Sequence, residues 1–391
     1  MINELKIEGF KSLHSLKLDL GRINCFIGAN GAGKSNILEA LGVLSAAASG
    51  TVDDESLMRR GVRPGLPRLY KSSFSSSRTP AHIGLSAISD QSASYRISLL
   101  NPLEKPEPLW SYKTEVLADD VSEIISSGVR KKVDLDPTAG LAALKMIELA
   151  RDNPARMMME KLQQFAIYAP NTPTLRSLVP DTQPRSPVGL SGGLVSEGFA
   201  ELKKTVLDKD ESLANDIYDL IDWISDITTT SQTGSLLSPS VGRTTESIKF
   251  TDRFMQTSRN QLTAYDASEG VLYILFCALL CLSPKAPSCF AVDNIDMALN
   301  PRLASALIQK MSKWILSQAR QQILFTSHNP AVLDGLDLAN PQVRLFAVER
   351  NAFGHTVVRR VELTESMKKL NEQYPLSRLW LMGNLGALPH V

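Results

Sequence analysis

Residues 22–48 read RINCFIGANGAGKSNILEALGVLSAAA, and this stretch decides the fold. Ile23, Cys25 and Ile27 recur with the period of two that marks a strand. Ile37, Leu38, Leu41 and Leu44 recur with the period of a helix, expected over residues 34–46. Between them, Gly28-Ala29-Asn30-Gly31-Ala32-Gly33-Lys34-Ser35 fits the pattern G-x-x-x-x-G-K-[ST] at every fixed position. Glycines let the backbone turn tightly, so that successive N–H groups point at phosphate oxygens. The helix that follows presents its positive end to the same phosphates. The pattern predicts Lys34 at the β- and γ-phosphates and the Ser35 hydroxyl on Mg²⁺. Asn30, Gly31, Ala32, Gly33, Lys34, Ser35 and Asn36 are therefore the expected binding residues for ATP with Mg²⁺.

Strands are also expected upstream, where Leu5 and Ile7, then Leu16, Leu18 and Leu20, alternate with polar residues. Two more follow, His82–Ile88 and Ser94–Leu100, after a Ser-rich loop over 70–80. These define a β-rich N-terminal lobe over 1–100. Residues 101–262 read as an insertion, helical and irregular. Within it, Ala142–Leu149 and Arg156–Phe165 look helical and Phe165–Tyr168 strand-like. Residues 170–195 are rich in Pro, Gly and Ser. Glu197–Ile227 reads as one or two amphipathic helices, and Thr228–Thr245 as a flexible connection. Residues 263–391 form a C-terminal lobe. There is no internal repeat and no heptad run of the length a coiled-coil arm needs.

In the C-terminal lobe, Ser288–Val292 is a short apolar run ending in Asp293. A carboxylate at the end of such a strand is the Walker B position and the expected second holder of Mg²⁺. The next residue in most such proteins is a glutamate that polarises the attacking water; here it is Asn294. Asp296 lies close enough in sequence to substitute. Gln322–Thr326 is a further apolar strand, followed by His328.

The stretch LKIEGFKSLHSLKLDLGRINCFIGANGAGKSNILEAL resembles the opening of SMC, RecF and OLD-family ATPases, in which a GFKS-like turn precedes the P-loop strand. VDNIDMALNP is similar to the Walker B and D-loop run of SMC proteins, with Asn294 and Asn300 departing from the usual Glu and Asp. The resemblance implies an α/β fold, an ABC-type P-loop ATPase head. It also implies that His328 is the switch histidine at the γ-phosphate. An ABC signature should open a helix upstream of Walker B. Ser268-Glu269-Gly270, before the apolar run Val271–Leu282, has the shortened S-x-G form and the right place. Leu190-Ser191-Gly192-Gly193 spells the signature more fully, but no apolar helix follows it directly, so it reads as a decoy. No Q-loop glutamine is identifiable; Gln91 is the best placed. In this family two heads close on ATP, so self-association is expected, with Asn294, Asp296 and His328 as the catalytic set.

Composition bounds the rest. A net charge of +1 gives no general pull toward nucleic acid, though a local patch remains possible. Val271–Leu282 is too short to span a bilayer, and the N-terminus has no signal-peptide core. Cys25, Cys277, Cys281 and Cys289 lie in apolar runs without a C-x-x-C pair, as buried thiols of a cytoplasmic protein do. Two functions compete. One is an OLD/SMC-like ATPase controlling a separately encoded effector, a nuclease of a bacterial antiphage system. The stretch after His328 is too short for a Toprim-type nuclease domain of its own. The other is a RecF-like ATPase acting directly on DNA. A membrane-transporter ATPase is a distant third.

Overall fold

The structure is a computed structural model and describes residues 1–75, 78–126, 136–231 and 246–387. Its centre is a six-stranded sheet built in the order Thr356–Val361, Val343–Arg350, Ile23–Ile27, Gln322–Ser327, Cys289–Val292, Ile167–Tyr168. All neighbours run parallel except the terminal hairpin. Ser327 is opposite Ile27 and Val292 opposite Phe325, so these strands finish level with one another. Ligand sites of parallel α/β sheets form outside such carboxyl ends. The loops that leave them carry the P-loop, Asp293 and His328.

A second six-stranded sheet is antiparallel, in the order Leu13–Asp19, Ile2–Phe10, Ile83–Ser89, Ser94–Leu100, Ser111–Ala118, Glu123–Ser126. It continues past residue 100 through its last two strands. The P-loop helix, Lys34–Ala48, packs against both large sheets and against the helix Pro154–Gln164. That position explains a difference from the expected one-faced helix: it is buried nearly all round, from Ile37 to Ala48. Small residues permit this. Gly42 lies so close to its neighbour that an added Cβ would meet Val62 Cγ2 at 2.5 Å.

The span 101–262 contributes to all three sheets. Ile167–Tyr168 pairs beside the Walker B strand. Ile224–Thr230, Ser247–Asp252 and Gln261–Thr263 form a small antiparallel sheet. The helices Val195–Leu202 and Glu211–Tyr218 overlap the region read as helical, the first starting two residues before it, but its end, from Ile224, is strand. Ile224 and Ile227 are spaced for either form; pairing with Ser247–Asp252 decides it. The proposed connection Thr228–Thr245 begins within this strand, and residues 232–245 lie outside the described ones. Helix Glu269–Leu282 is apolar all round and buried from Val271 to Leu282, as its composition requires. Among the described residues no helix is long and apolar enough to cross a membrane. All four cysteines are free and buried, and burial pushes their thiols up.

Candidate nucleotide site

The P-loop turn is fixed by contacts that exclude side chains. Gly28 has φ +152°, and a Cβ there would lie 2.0 Å from the Val348 carbonyl oxygen. Gly33 has φ +110°, and a Cβ would meet Thr356 Oγ1 at 2.2 Å. Only glycine fits either position. The GFKS turn gains a physical role here. Ser12 Oγ accepts a hydrogen bond from Asn36 Nδ2 and donates one to Thr356 Oγ1, both at 2.7 Å. Thr356 N–H donates to the Ser12 carbonyl at 2.8 Å. The turn and the C-terminal hairpin thus clamp the P-loop from two sides.

A cleft of about 340 Å³ opens above the turn, lined by Asn30, Gly31, Gly33, Lys34, Ser35, Asn36, Arg63, Asn294, His328 and Arg350. Lys34 Nζ donates to the carbonyls of Gly28 at 2.8 Å and Ala29 at 3.0 Å, and lies 3.3 Å from His328 Nδ1. Burial pushes its amine down to about 8, against the pull of Asp293 and Asp296. Burial, helped by the Lys34 cation, also holds the His328 imidazole below its ordinary value, so it is neutral at pH 7. Asp293 Oδ1 accepts from Ser35 Oγ at 3.1 Å and Thr326 Oγ1 at 2.5 Å. Its other oxygen takes no hydrogen bond among the described residues. A hydroxyl and a carboxylate at this separation are hard oxygen donors that suit Mg²⁺, which keeps several waters.

Asn294 lines the cleft with φ +55°, a left-handed conformation that asparagine tolerates better than most residues. Its N–H donates to Thr326 Oγ1 at 2.8 Å, and its carbonyl accepts from Tyr273 at 3.1 Å. Asp296 does not line the cleft; its Oδ1 accepts the His328 N–H at 3.3 Å. Ala32 lies beneath the turn, its carbonyl held by Thr356 Oγ1 at 2.7 Å.

Ser268, Glu269 and Gly270 line no part of this cleft. Ser268 is exposed at the start of its helix, makes no side-chain cap, and Glu269 accepts from Thr172 Oγ1. In the Leu190–Gly193 turn, Asp181 Oδ2 already accepts the N–H groups of Ser191 at 2.9 Å and Gly193 at 3.1 Å. Gln91 lies at another surface hollow, beside Met1 and Pro154. Two cleft residues were not anticipated. Arg63 comes from the segment after the helix Asp54–Met58, and Arg350 ends its strand with Nε on the Gly31 carbonyl at 2.9 Å. Neither carries a local sequence signal, since each is brought in by tertiary packing.

Motif order and this convergence make a P-loop cleft on an α/β head of ABC-type fold. A family model described as an AAA ATPase domain matches residues 1–66. Another, described as an AAA domain, putative AbiEii toxin, Type IV TA system, matches residues 205–334. No curated protein sequence matches the chain. Among solved structures, an SMC head bound to the C-winged helix domain of ScpA aligns with a TM-score of 0.55 at 15% identity, covering 94% of this chain and 99% of that one. An SMC head domain with an extended coiled coil, bound to the C-terminal domain of ScpA and derived from Pyrococcus furiosus, gives 0.51 at 13% identity, covering 95% and 99%. The chain is an SMC-like ATPase head in fold.

Proposed function

We propose that the chain binds ATP with Mg²⁺ in the P-loop cleft and that two copies then close head to head, as a cytoplasmic control protein for a separately encoded nuclease in antiphage defence. The observation that carries the nucleotide reading is the convergence, from three adjacent strand ends, of Lys34, Ser35 and His328 on one cleft, with Asp293 hydrogen-bonded to Ser35 beside it. Ser35 and Asp293 hold Mg²⁺, which neutralises phosphate charge. Lys34 exchanges the Gly28 and Ala29 carbonyls for the β- and γ-phosphates. Neutral His328 faces the terminal phosphate. Ser268, Glu269 and Gly270 serve the cleft of the second copy, since they reach no part of their own.

Asn294 cannot accept a proton from water as a carboxylate does, and Asp296 Oδ1 is engaged by the His328 N–H. Hydrolysis is therefore slow, and the ATP-bound dimer persists as a signalling state. The family description naming a putative AbiEii toxin and a Type IV system supports a conflict role. The ScpA complexes of the two SMC heads support a head that docks a partner protein.

The test is co-purification with the products of adjacent genes, with and without ATP, for the wild type and Lys34→Ala. The expected outcome is ATP-dependent capture of a nuclease by the wild type alone. Lys34→Ala should weaken ATP binding by about a hundredfold, the loss of a charge-assisted contact. Unchanged affinity in the folded variant overturns the nucleotide assignment. Capture of DNA without a nuclease partner favours the RecF-like reading.

A further inference from the structure

Glu39 is the acidic residue of the P-loop helix, and its side chain is 3% exposed. An ionised carboxylate at that depth is costly unless cations hold it. Two do, from separate segments. Lys11, in the GFKS turn, donates Nζ to Oε2. Arg63 donates Nε to Oε1 at 2.5 Å, and its backbone N–H points to the same oxygen at 3.4 Å.

The two cations face different surroundings. The Lys11 side chain is 18% exposed, its Nζ 4.9 Å from the Tyr70 ring centre and 5.4 Å from that of Phe10. The Arg63 side chain is 67% exposed and lines the cleft together with Lys34, Asn294 and His328. Its Nη1 and Nη2 atoms make no hydrogen bond among the described residues. One carboxylate between two cations leaves one net positive charge, and the free edge of the guanidinium presents it to the cleft. A guanidinium held by Nε keeps a planar pair of donors that matches phosphate oxygens.

We propose that Glu39 is a positioning residue for nucleotide binding: it holds Arg63 by Nε so that both Nη groups grip the terminal phosphate of a bound nucleoside triphosphate. Lys11 neutralises the carboxylate, so Arg63 keeps its full charge for the phosphate. Glu39 itself touches no nucleotide. The assignment rests on the nucleotide reading given above and adds to it a device that distinguishes triphosphate from diphosphate.

The test is calorimetric binding of ATPγS and ADP, each with Mg²⁺, to the full chain. Arg63→Gln and Glu39→Gln should each weaken ATPγS binding about tenfold, the scale of one charge-assisted hydrogen bond, and leave ADP binding within about twofold. The double variant should be no worse than either single one, because both changes remove the same contact. Glu39→Asp keeps the charge but withdraws the carboxylate by one methylene. It should show the same selective loss in milder form, and it carries the test if Glu39→Gln does not fold. Glu39 variants that retain the parent's ATPγS-to-ADP ratio, or losses that add in the double variant, overturn the assignment. A wild-type protein that binds neither nucleotide overturns the nucleotide reading itself.

Discussion

Four described helices run longer than ten residues, and they begin in two ways. Pro154–Gln164 and Pro301–Ser317 start from asparagines whose side chains accept first-turn N–H groups. Lys34–Ala48 and Glu269–Leu282 start from Gly33 and Ser268 with no side-chain cap. A helix leaves its first amides without internal partners, and a side chain, water or ligand must take them. The two long helices that leave this role open are the P-loop helix and the Ser268 helix. They differ in charge. The P-loop end has Lys34, Arg63 and Arg350 around it. The Ser268 end carries Glu269 in its first turn. The first has the charge to suit a triphosphate unaided; the second, on the function proposed above, adds to one already neutralised. The Leu190–Gly193 turn makes the same point from the other side, because its amides are satisfied by Asp181. Amide availability, more than spelling, separates a phosphate site from a structural turn.

Gly270→Asp tests the comparison most severely. An added Cβ at Gly270 would lie 3.2 Å from the Ala298 carbonyl, a contact that small shifts relieve, so the variant should fold. A carboxylate set against phosphate costs about 3 kcal/mol at an effective dielectric near 20, or roughly a hundredfold. ATP-dependent association, followed by light scattering, should be lost while ATP still binds the monomer. Association that persists would strip the Ser268 helix of its role.

Asn294→Glu sharpens the P-loop side. A carboxylate beside the cleft should speed single-turnover hydrolysis of pre-bound ATP by about a hundredfold, the low end of general-base contributions. The left-handed backbone at 294 sets a cost, since a residue without asparagine's local hydrogen bonding pays about 1–2 kcal/mol there. A lower melting temperature should therefore accompany faster turnover. Fast wild-type hydrolysis, abolished by Asp296→Asn and not improved by Asn294→Glu, would place the base at Asp296 and sink the signalling reading.

These contrasts also show what the sequence could disclose. The P-loop was legible because its geometry demands particular residues at particular spacings: Gly28 and Gly33 each sit where a Cβ would collide with a neighbour. Asp293 was legible as the polar end of a short apolar run. Ile224–Thr230 was not, because its partner strand lies beyond residue 245 and an Ile–Ile spacing of three suits a helix as well. Ser111–Ala118 was also missed, though its partner Ser94–Leu100 is a near neighbour in sequence, whereas Ile167–Tyr168, read as strand-like, finds its partner in the distant Walker B strand. Arg63 and Arg350 enter the cleft from segments with no motif. The partner of Arg63, Glu39, occupies a position that helix periodicity reads only as a polar residue.

The smallest expected effect is a pH dependence that separates the two helix ends. Lys34 has a pKa near 8 in the nucleotide-free protein, lowered by burial. Bound phosphates favour the charged amine and must raise that value. The sign follows: below pH 8 the lysine is charged in both states and affinity is full. As pH rises through 8, the free protein loses its proton but the complex keeps it, so binding must take a proton up. Affinity then falls toward tenfold per unit, about tenfold between pH 7 and 9. The His328 imidazole is held below its ordinary value in the free protein, and any proton it gains beside bound phosphate adds to the uptake without changing its sign. The phosphate group titrates near 6, below the window. The Ser268 end holds no cation that titrates here, so association measured at saturating ATP should be flat over the same interval. Calorimetry at pH 8.5 in buffers of different ionisation enthalpy reads the proton directly. Proton release, or no exchange, would show that Lys34 does not move from its carbonyl partners to the phosphates when ATP binds.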